Sequence, residues 1–178
     1  GNDFIVINNL EEGLPPEAFP RIAKTLCTPH RSLGADGFMV VDQAQGEGDF
    51  RMLFFNSDGS VGEMCGNGAR CICRYGYETG LPGPVQKVET TAGLVIGERI
   101  DRRRYRVRLN DPTVIDLDRT AVIGGEKIPC GYVELGNPGL PHAVVHWPGL
   151  ANADNDLLFK LGRALRRVPV LVLLTAAN

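Results

Sequence analysis

The strongest chemical signal in the sequence is a cysteine placed directly before a glycine-rich helix start. Residues 56–71 read NSDGSVGEMCGNGARC, so that Cys65 precedes Gly66, Asn67 and Gly68. The unpaired N–H groups and the dipole of a helix start favour anions, which include both a thiolate and a carboxylate. The two glycines let the backbone approach a ligand closely. One short loop thus combines a thiolate base with a binding site for a carboxylate.

This pairing suits the removal of a proton from a carbon next to a carboxylate. The base reaches the hydrogen while N–H donors offset the negative charge that builds on the carboxylate oxygens. The structural alternative is a buried cysteine in a helix cap. We favour the functional interpretation of Cys65 because of the glycines that follow it. A cysteine hydrolase is less favoured, since its nucleophile attacks carbon and needs a histidine and an oxyanion site.

The other cysteines fit structural roles. Cys71 and Cys73 fall inside the predicted helix, and we expect both on its packed face. Their spacing from Cys65 does not match a zinc site. Cys27 and Cys130 are isolated in sequence. Five cysteines without a visible export signal favour free thiols in a reducing cytosol, so we expect a cytoplasmic protein.

The strands and helices predicted around Cys65 indicate an α+β fold with mixed sheets. Apolar runs bounded by Gly, Pro, Asn or Asp predict strands at Phe4–Asn8, Phe38–Val41, Phe50–Phe55, Gln86–Thr91, Leu94–Arg99, Arg104–Leu109, Thr113–Asp116, Gly131–Leu135 and His142–His146. Helices are predicted at Pro15–Leu26, from the Cys65 loop to about Glu78, and around Asp156–Arg166. We expect one domain over residues 1–116 and the start of a second over 117–178.

Composition narrows the class of partner. The chain has 19 Lys and Arg against 21 Asp and Glu, a net charge of -2, which argues against nucleic acid. The longest apolar stretch, Val168–Ala177, is too short for a membrane span and contains Pro169. We therefore expect neither a nucleic-acid nor a membrane partner, but a small-molecule substrate.

The segment Asn56–Cys73 resembles the first catalytic segment of diaminopimelate epimerases. Weaker resemblances to the same family lie at residues 1–4 (GNDF), 33–37 (LGADG) and 139–144 (GLPHAV). The resemblance implies two similar halves, each a barrel-like mixed sheet wrapped around a central helix, with the second half incomplete here. It also implies a homodimer.

The resemblance further implies a two-base reaction that inverts LL-diaminopimelate to meso-diaminopimelate, without pyridoxal phosphate, another cofactor or a metal. Cys65 would be one of the two thiols, and His142 would assist its ionisation. Asn2 and Asn56 would bind polar groups of the substrate, and the backbones of Gly66 and Asn67 its α-carboxylate. Taken alone, Asn2 and Asn56 could be turn residues and His142 a strand-edge histidine.

The sequence departs from the family pattern after Gly162. No second cysteine in a glycine-rich loop follows, and residues 168–178 (VPVLVLLTAAN) do not resemble the family. We therefore expect the chain to be inactive alone. A proline or hydroxyproline racemase-like isomerase of the same fold, or a non-catalytic binding fragment, remain alternatives.

Overall fold

The structure is a computed structural model that describes residues 1–62, 64–137 and 139–167, with the backbone of 174–175. The chain forms two compact units, Gly1–Asn110 and Asp111–Asn178. Both units contain helices and a β-sheet, and the predicted α+β class is confirmed.

The first unit is built on a seven-stranded mixed sheet. Its strands are β1 (Phe4–Asn8), β2 (Gly37–Asp42), β3 (Phe50–Asn56), β4 (Val61–Gly62), β5 (Val85–Thr90), β6 (Gly93–Arg99) and β7 (Tyr105–Arg108). The order is β1-β2-β3-β5-β6-β7, with β4 paired to β3. The pairs β1–β2 and β3–β5 are parallel, and the others are antiparallel.

Three helices accompany this sheet: α1 (Asn9–Glu12), α2 (Phe19–Leu26) and α3 (Gly66–Glu78). Because side chains alternate across a strand, β2 sends Phe38 and Val40 into the core around α2 and Met39 and Val41 into a separate core. The second core contains Ile72 and Cys73 of α3, together with aromatic and apolar side chains of β3.

Helix α3 contacts β1, β6 and β7, so both end strands of the sheet lie against it. Among the described strands, β1 and β7 do not pair with each other. The sheet therefore curves around a central helix, as predicted, without closing into a barrel.

The second unit contains a four-stranded antiparallel sheet in the order β10-β9-β8-β11. Its elements are β8 (Pro112–Ile123), β9 (Glu126–Leu135), β10 (Leu140–Val144), α4 (Asn155–Arg167) and β11 (Leu174–Thr175). Ala121, Cys130 and Tyr132 form its small core.

Some element bounds differ from the sequence prediction. The strand predicted at Thr113–Asp116 continues to Ile123 through a register shift between Asp116 and Arg119, where the Arg119 guanidinium donates to the Asp116 carboxylate at 2.6 Å. The two units divide between Asn110 and Asp111, whereas the sequence prediction ended the first domain at Asp116. Helix α2 begins at Phe19, because Pro16–Ala18 forms a 3₁₀ turn.

The segment 168–178 that does not resemble the family lies outside the described residues, apart from the backbone of 174–175. Among the described residues, no helix is both long enough and apolar enough to cross a membrane.

Candidate active site

Cys65 is the N-cap residue of α3. Its backbone is extended, with φ -130° and ψ 114°, and its sulfur accepts a hydrogen bond from the Gly68 N–H at 3.4 Å. A cysteine thus occupies the position that Ser, Thr, Asp or Asn usually takes at a helix start. The thiol is half-buried and lies where the helix dipole favours negative charge.

The two glycines of this loop have different surroundings. A Cβ on Gly68 would lie 3.1 Å from the Met39 sulfur, so packing against β2 limits the size of residue 68. A Cβ on Gly66 would meet only the Leu109 side chain, at 3.8 Å, an ordinary van der Waals distance. Neither glycine has a positive φ. Packing and backbone conformation therefore do not require glycine at 66.

A continuous chain of hydrogen bonds lies beside this loop. Arg70 Nη2 donates to Asn67 Oδ1, Asn67 Nδ2 donates to Asn2 Oδ1 at 2.6 Å, and Asn2 Nδ2 donates to Asp36 Oδ2 at 3.0 Å. The Asp36 carboxylate also accepts from the Asp3 N–H at 3.2 Å, and Asp3 Oδ1 accepts from the Asp36 N–H at 3.2 Å. Two of the predicted substrate-binding residues, Asn2 and Asn67, are thus in direct contact.

The other two predicted site residues belong to other elements. Asn56 ends β3, and its amide donates to the Ser60 hydroxyl at 3.0 Å within the turn to β4. His142 lies in the second unit on β10, exposed, with its Nδ1 2.9 Å from the Leu140 carbonyl oxygen. Asn56 thus lies at a turn and His142 in a strand, as their sequence context predicted. The roles of both residues toward a substrate stay predictions.

An open cavity of about 610 Å³ adjoins the hydrogen-bonded amides. Its lining includes Asn2 and Asn67 together with Cys71, Tyr105 and four arginines: Arg70, Arg74, Arg103 and Arg104. Cys65 is not among the described residues that line it. Two of the arginines are paired, Arg74 with Glu78 at 2.8 Å and Arg104 with Asp101 at 2.6 Å.

The position of Cys71 corrects a sequence prediction. Cys73 is fully buried, as expected, but Cys71 is exposed. Helical spacing explains the difference, because residues 67, 70, 71 and 74 share one face of α3, while 69, 72, 73 and 76 share the other. The polar residues at 67, 70 and 74 in the sequence were the signal that could have placed Cys71 on the outer face.

Burial separates the chemistry of these thiols. It raises the pKa of Cys73 to about 11, so Cys73 is a protonated thiol at neutral pH and cannot act as a base there. Partial burial also raises the pKa of Cys71, while the nearby Arg70 and Arg74 act in the opposite direction.

Comparison with known proteins followed from this geometry. The family model described as "Diaminopimelate epimerase" matches residues 1–115. The chain is 37% identical over 177 residues to a diaminopimelate epimerase of Aquifex aeolicus, covering 93% of this chain and 60% of that protein. It is 32% identical over 188 residues to a diaminopimelate epimerase of Methanothermobacter thermautotrophicus, covering 96% of this chain and 64% of that protein. The chain therefore spans about three fifths of the length of these relatives.

Two solved structures share the fold at 20% sequence identity. A probable proline racemase from Agrobacterium radiobacter matches with a TM-score of 0.61 over 87% of this chain and 50% of its own. A PhzF-family phenazine biosynthesis protein of Bacillus anthracis matches with a TM-score of 0.58 over 93% of this chain and 57% of its own. These two matches show the fold alone, whereas the sequence match over residues 1–115 shows that this chain belongs to the diaminopimelate epimerase family.

Proposed function

We propose that the protein to which this chain belongs interconverts LL- and meso-diaminopimelate without a cofactor, and that Cys65 is one of its two catalytic thiols. The observation that carries the proposal is the position of the Cys65 sulfur, which caps the start of α3. The next residue is Gly66, and packing among the described residues does not require a glycine there. Family membership supports the choice of substrate.

In this mechanism a thiolate removes the α-proton and becomes a thiol, leaving the electron pair on the α-carbon and its carboxylate. A second thiol then gives a proton to the opposite face of the same carbon and becomes a thiolate. Charge and protons balance, and the product differs from the substrate only in configuration. The N–H groups of Gly66 and Asn67, at the start of α3, would hold the carboxylate as its charge increases.

The remaining roles follow the same scheme. Asn2 and Asn56 would bind polar groups of the substrate, and His142 would assist ionisation of Cys65. The second thiol would come from a part of the protein beyond this chain, since the chain spans about 60% of its relative from Aquifex aeolicus. We therefore expect residues 1–178 alone to have no epimerase activity. From the family resemblance and the free cysteines we also expect the complete protein to be a homodimer in the cytoplasm.

The test uses the complete protein in deuterium oxide with LL-diaminopimelate as substrate. Cys65→Ala should reduce epimerisation by about 10²- to 10⁴-fold, the usual contribution of a general acid or base. Cys27→Ala, in the core around α2, is the matched control and should keep nearly the parental rate. Parental rates of inversion and of deuterium incorporation in Cys65→Ala would exclude Cys65 as a base.

An assay with L-proline separates this proposal from its closest alternative. The probable proline racemase of Agrobacterium radiobacter shares the fold with this chain. We expect inversion of diaminopimelate and none of proline or hydroxyproline. Faster inversion of proline than of diaminopimelate would replace the proposed substrate while keeping the role of Cys65.

A further inference from the structure

The hydrogen bonds beside the Cys65 loop all run in one direction. They pass from Arg70 to Asn67, from Asn67 to Asn2, and from Asn2 to Asp36. Arg70 and Asn67 lie in the first two turns of α3, whereas Asn2 lies two residues before β1 and Asp36 directly before β2. The chain of bonds therefore ties the helix that carries Cys65 to the beginning of the two parallel strands.

The two ends of this chain differ chemically from its middle. A side-chain amide has a donor end and an acceptor end of nearly equal size, so Asn2 and Asn67 could each adopt two orientations. A guanidinium can only donate, and an ionised carboxylate can only accept. Arg70 therefore fixes the Asn67 oxygen toward itself, and Asp36 fixes the Asn2 nitrogen toward itself. With both ends in place, only one orientation of the two amides satisfies every bond.

We infer that Asp36 and Arg70 are positioning residues that set the amide orientation of Asn2 and Asn67 for substrate binding. This inference rests on the proposed function. In the fixed orientation, Asn2 and Asn67 each retain one N–H and one lone pair for a ligand. Both amides, and Arg70 itself, line the cavity of about 610 Å³. Asp36 need not contact the substrate, because it acts through Asn2.

The amides keep one orientation only while both ends of the hydrogen-bonded chain, Arg70 and Asp36, are in place. Water competes for each bond, because all four residues of this chain are exposed. A single exposed hydrogen bond adds little stability, and removing one should leave the fold intact while releasing the amides. The expected consequence is weaker substrate binding without loss of folding.

The experiment measures KM, kcat and Tm of the complete protein with LL-diaminopimelate. Asp36→Asn replaces the acceptor-only carboxylate by an amide, which can present either its oxygen or its NH₂ group to Asn2. Arg70→Met removes the donor at the other end. Each should raise KM about tenfold, the effect of one or two lost hydrogen bonds, with kcat within about twofold and Tm nearly unchanged. Arg70→Lys keeps a donor-only group and should restore part of the lost affinity. Arg21→Met is the matched control, since Arg21 is an exposed arginine of α2 and is not among the described residues that line the cavity.

A double variant tests whether the two ends act through the same amides. Asp36→Asn combined with Arg70→Met should raise KM little more than the larger single effect, because either change already releases the amides. The inference would be overturned by single effects on KM that multiply in the double variant, by KM values equal to that of Arg21→Met, or by a fall in Tm with parental KM.

A second readout separates this inference from the proposed function. If the parent protein leaves diaminopimelate unchanged, the proposed function fails, and the orientation of the amides is then measured by the side-chain NH₂ signals of Asn2 and Asn67 in nitrogen-15 NMR spectra. Asp36→Asn should shift the Asn67 signals although it does not touch Asn67, and Arg21→Met should not. Unchanged Asn67 signals in Asp36→Asn would overturn the inference.

Discussion

Helix α3 has thirteen residues, and one of its faces is buried while the other is exposed. The inner face presents Ala69, Ile72 and Cys73 to the core, and its Gln86 neighbour on β5 donates to the Cys73 carbonyl oxygen at 2.7 Å. The outer face presents Asn67, Arg70 and Cys71 to a cavity. The inner face thus holds the helix in place, whereas the outer face is exposed and lines the cavity.

The comparison teaches that cysteines two residues apart can have unrelated roles. Cys73 packs so closely against Gly97 of β6 that a Cβ on this glycine would collide with its sulfur. Cys71 has cationic neighbours and solvent. Cys65, at the end of the helix, belongs to neither face and is the residue for which we propose catalysis. The following predictions test this separation, from the largest effect to the smallest.

The largest difference should be in the rate of alkylation by iodoacetamide in the folded protein at pH 8. Cys71 should react at least about 100-fold faster than Cys73, because a fully buried thiol reacts only when the structure opens locally. Peptide mass spectrometry after timed quenching gives both rates in one sample, with the urea-unfolded protein as the control. Similar rates for the two thiols in the folded protein would contradict the assignment of the faces.

A smaller effect is expected from filling the contact between the inner face and the sheet. Gly97→Ala should lower the free energy of unfolding by about 1–3 kcal/mol, the usual cost of overpacking a core. Gly83→Ala is the matched control, because a Cβ there meets nothing within 4 Å, and it should change stability by no more than about 0.5 kcal/mol. Urea unfolding monitored by circular dichroism measures both. Equal stabilities would show that α3 can move away from β6 without cost.

The smallest effect should come from the protonation of Cys73. Its pKa is about 11 in the folded protein, against an ordinary value of 9.0, because burial disfavours the thiolate. The folded state therefore binds the proton more tightly than the unfolded state. This contribution is complete below pH 9 and is lost as the pH rises through 11. Stability should fall across this window by roughly 1–2 kcal/mol.

The control for the alkaline effect is Cys73→Ala. This variant is less stable at every pH because it leaves a cavity, but its stability should fall less between pH 9 and 11 than that of the parent protein. Urea midpoints at several pH values give the comparison. Parallel pH profiles for the two proteins would contradict a buried, protonated Cys73.

The sequence by itself determined the local elements around the site. The run of apolar and β-branched residues at Phe4–Asn8 predicted β1, and the cysteine followed by glycines predicted the start of α3 at Cys65. Both are local effects, since strand propensity and helix capping involve residues close together in the chain. Residues 56–73 alone were enough to identify the family, which the match over residues 1–115 confirms.

Only the tertiary structure decided which distant residues meet. The contact of Asn67 with Asn2 joins residues 65 positions apart, and that of Asn2 with Asp36 joins residues 34 apart. These contacts depend on the parallel pairing of β1 with β2 and on the packing of α3 across the sheet, which no local pattern specifies. The strands that cover the inner face of α3, which are β1, β6 and β7, were likewise decided by the tertiary structure. The polar and apolar periodicity of a helix indicates which face is buried, but only the packed structure supplies the neighbours of that face.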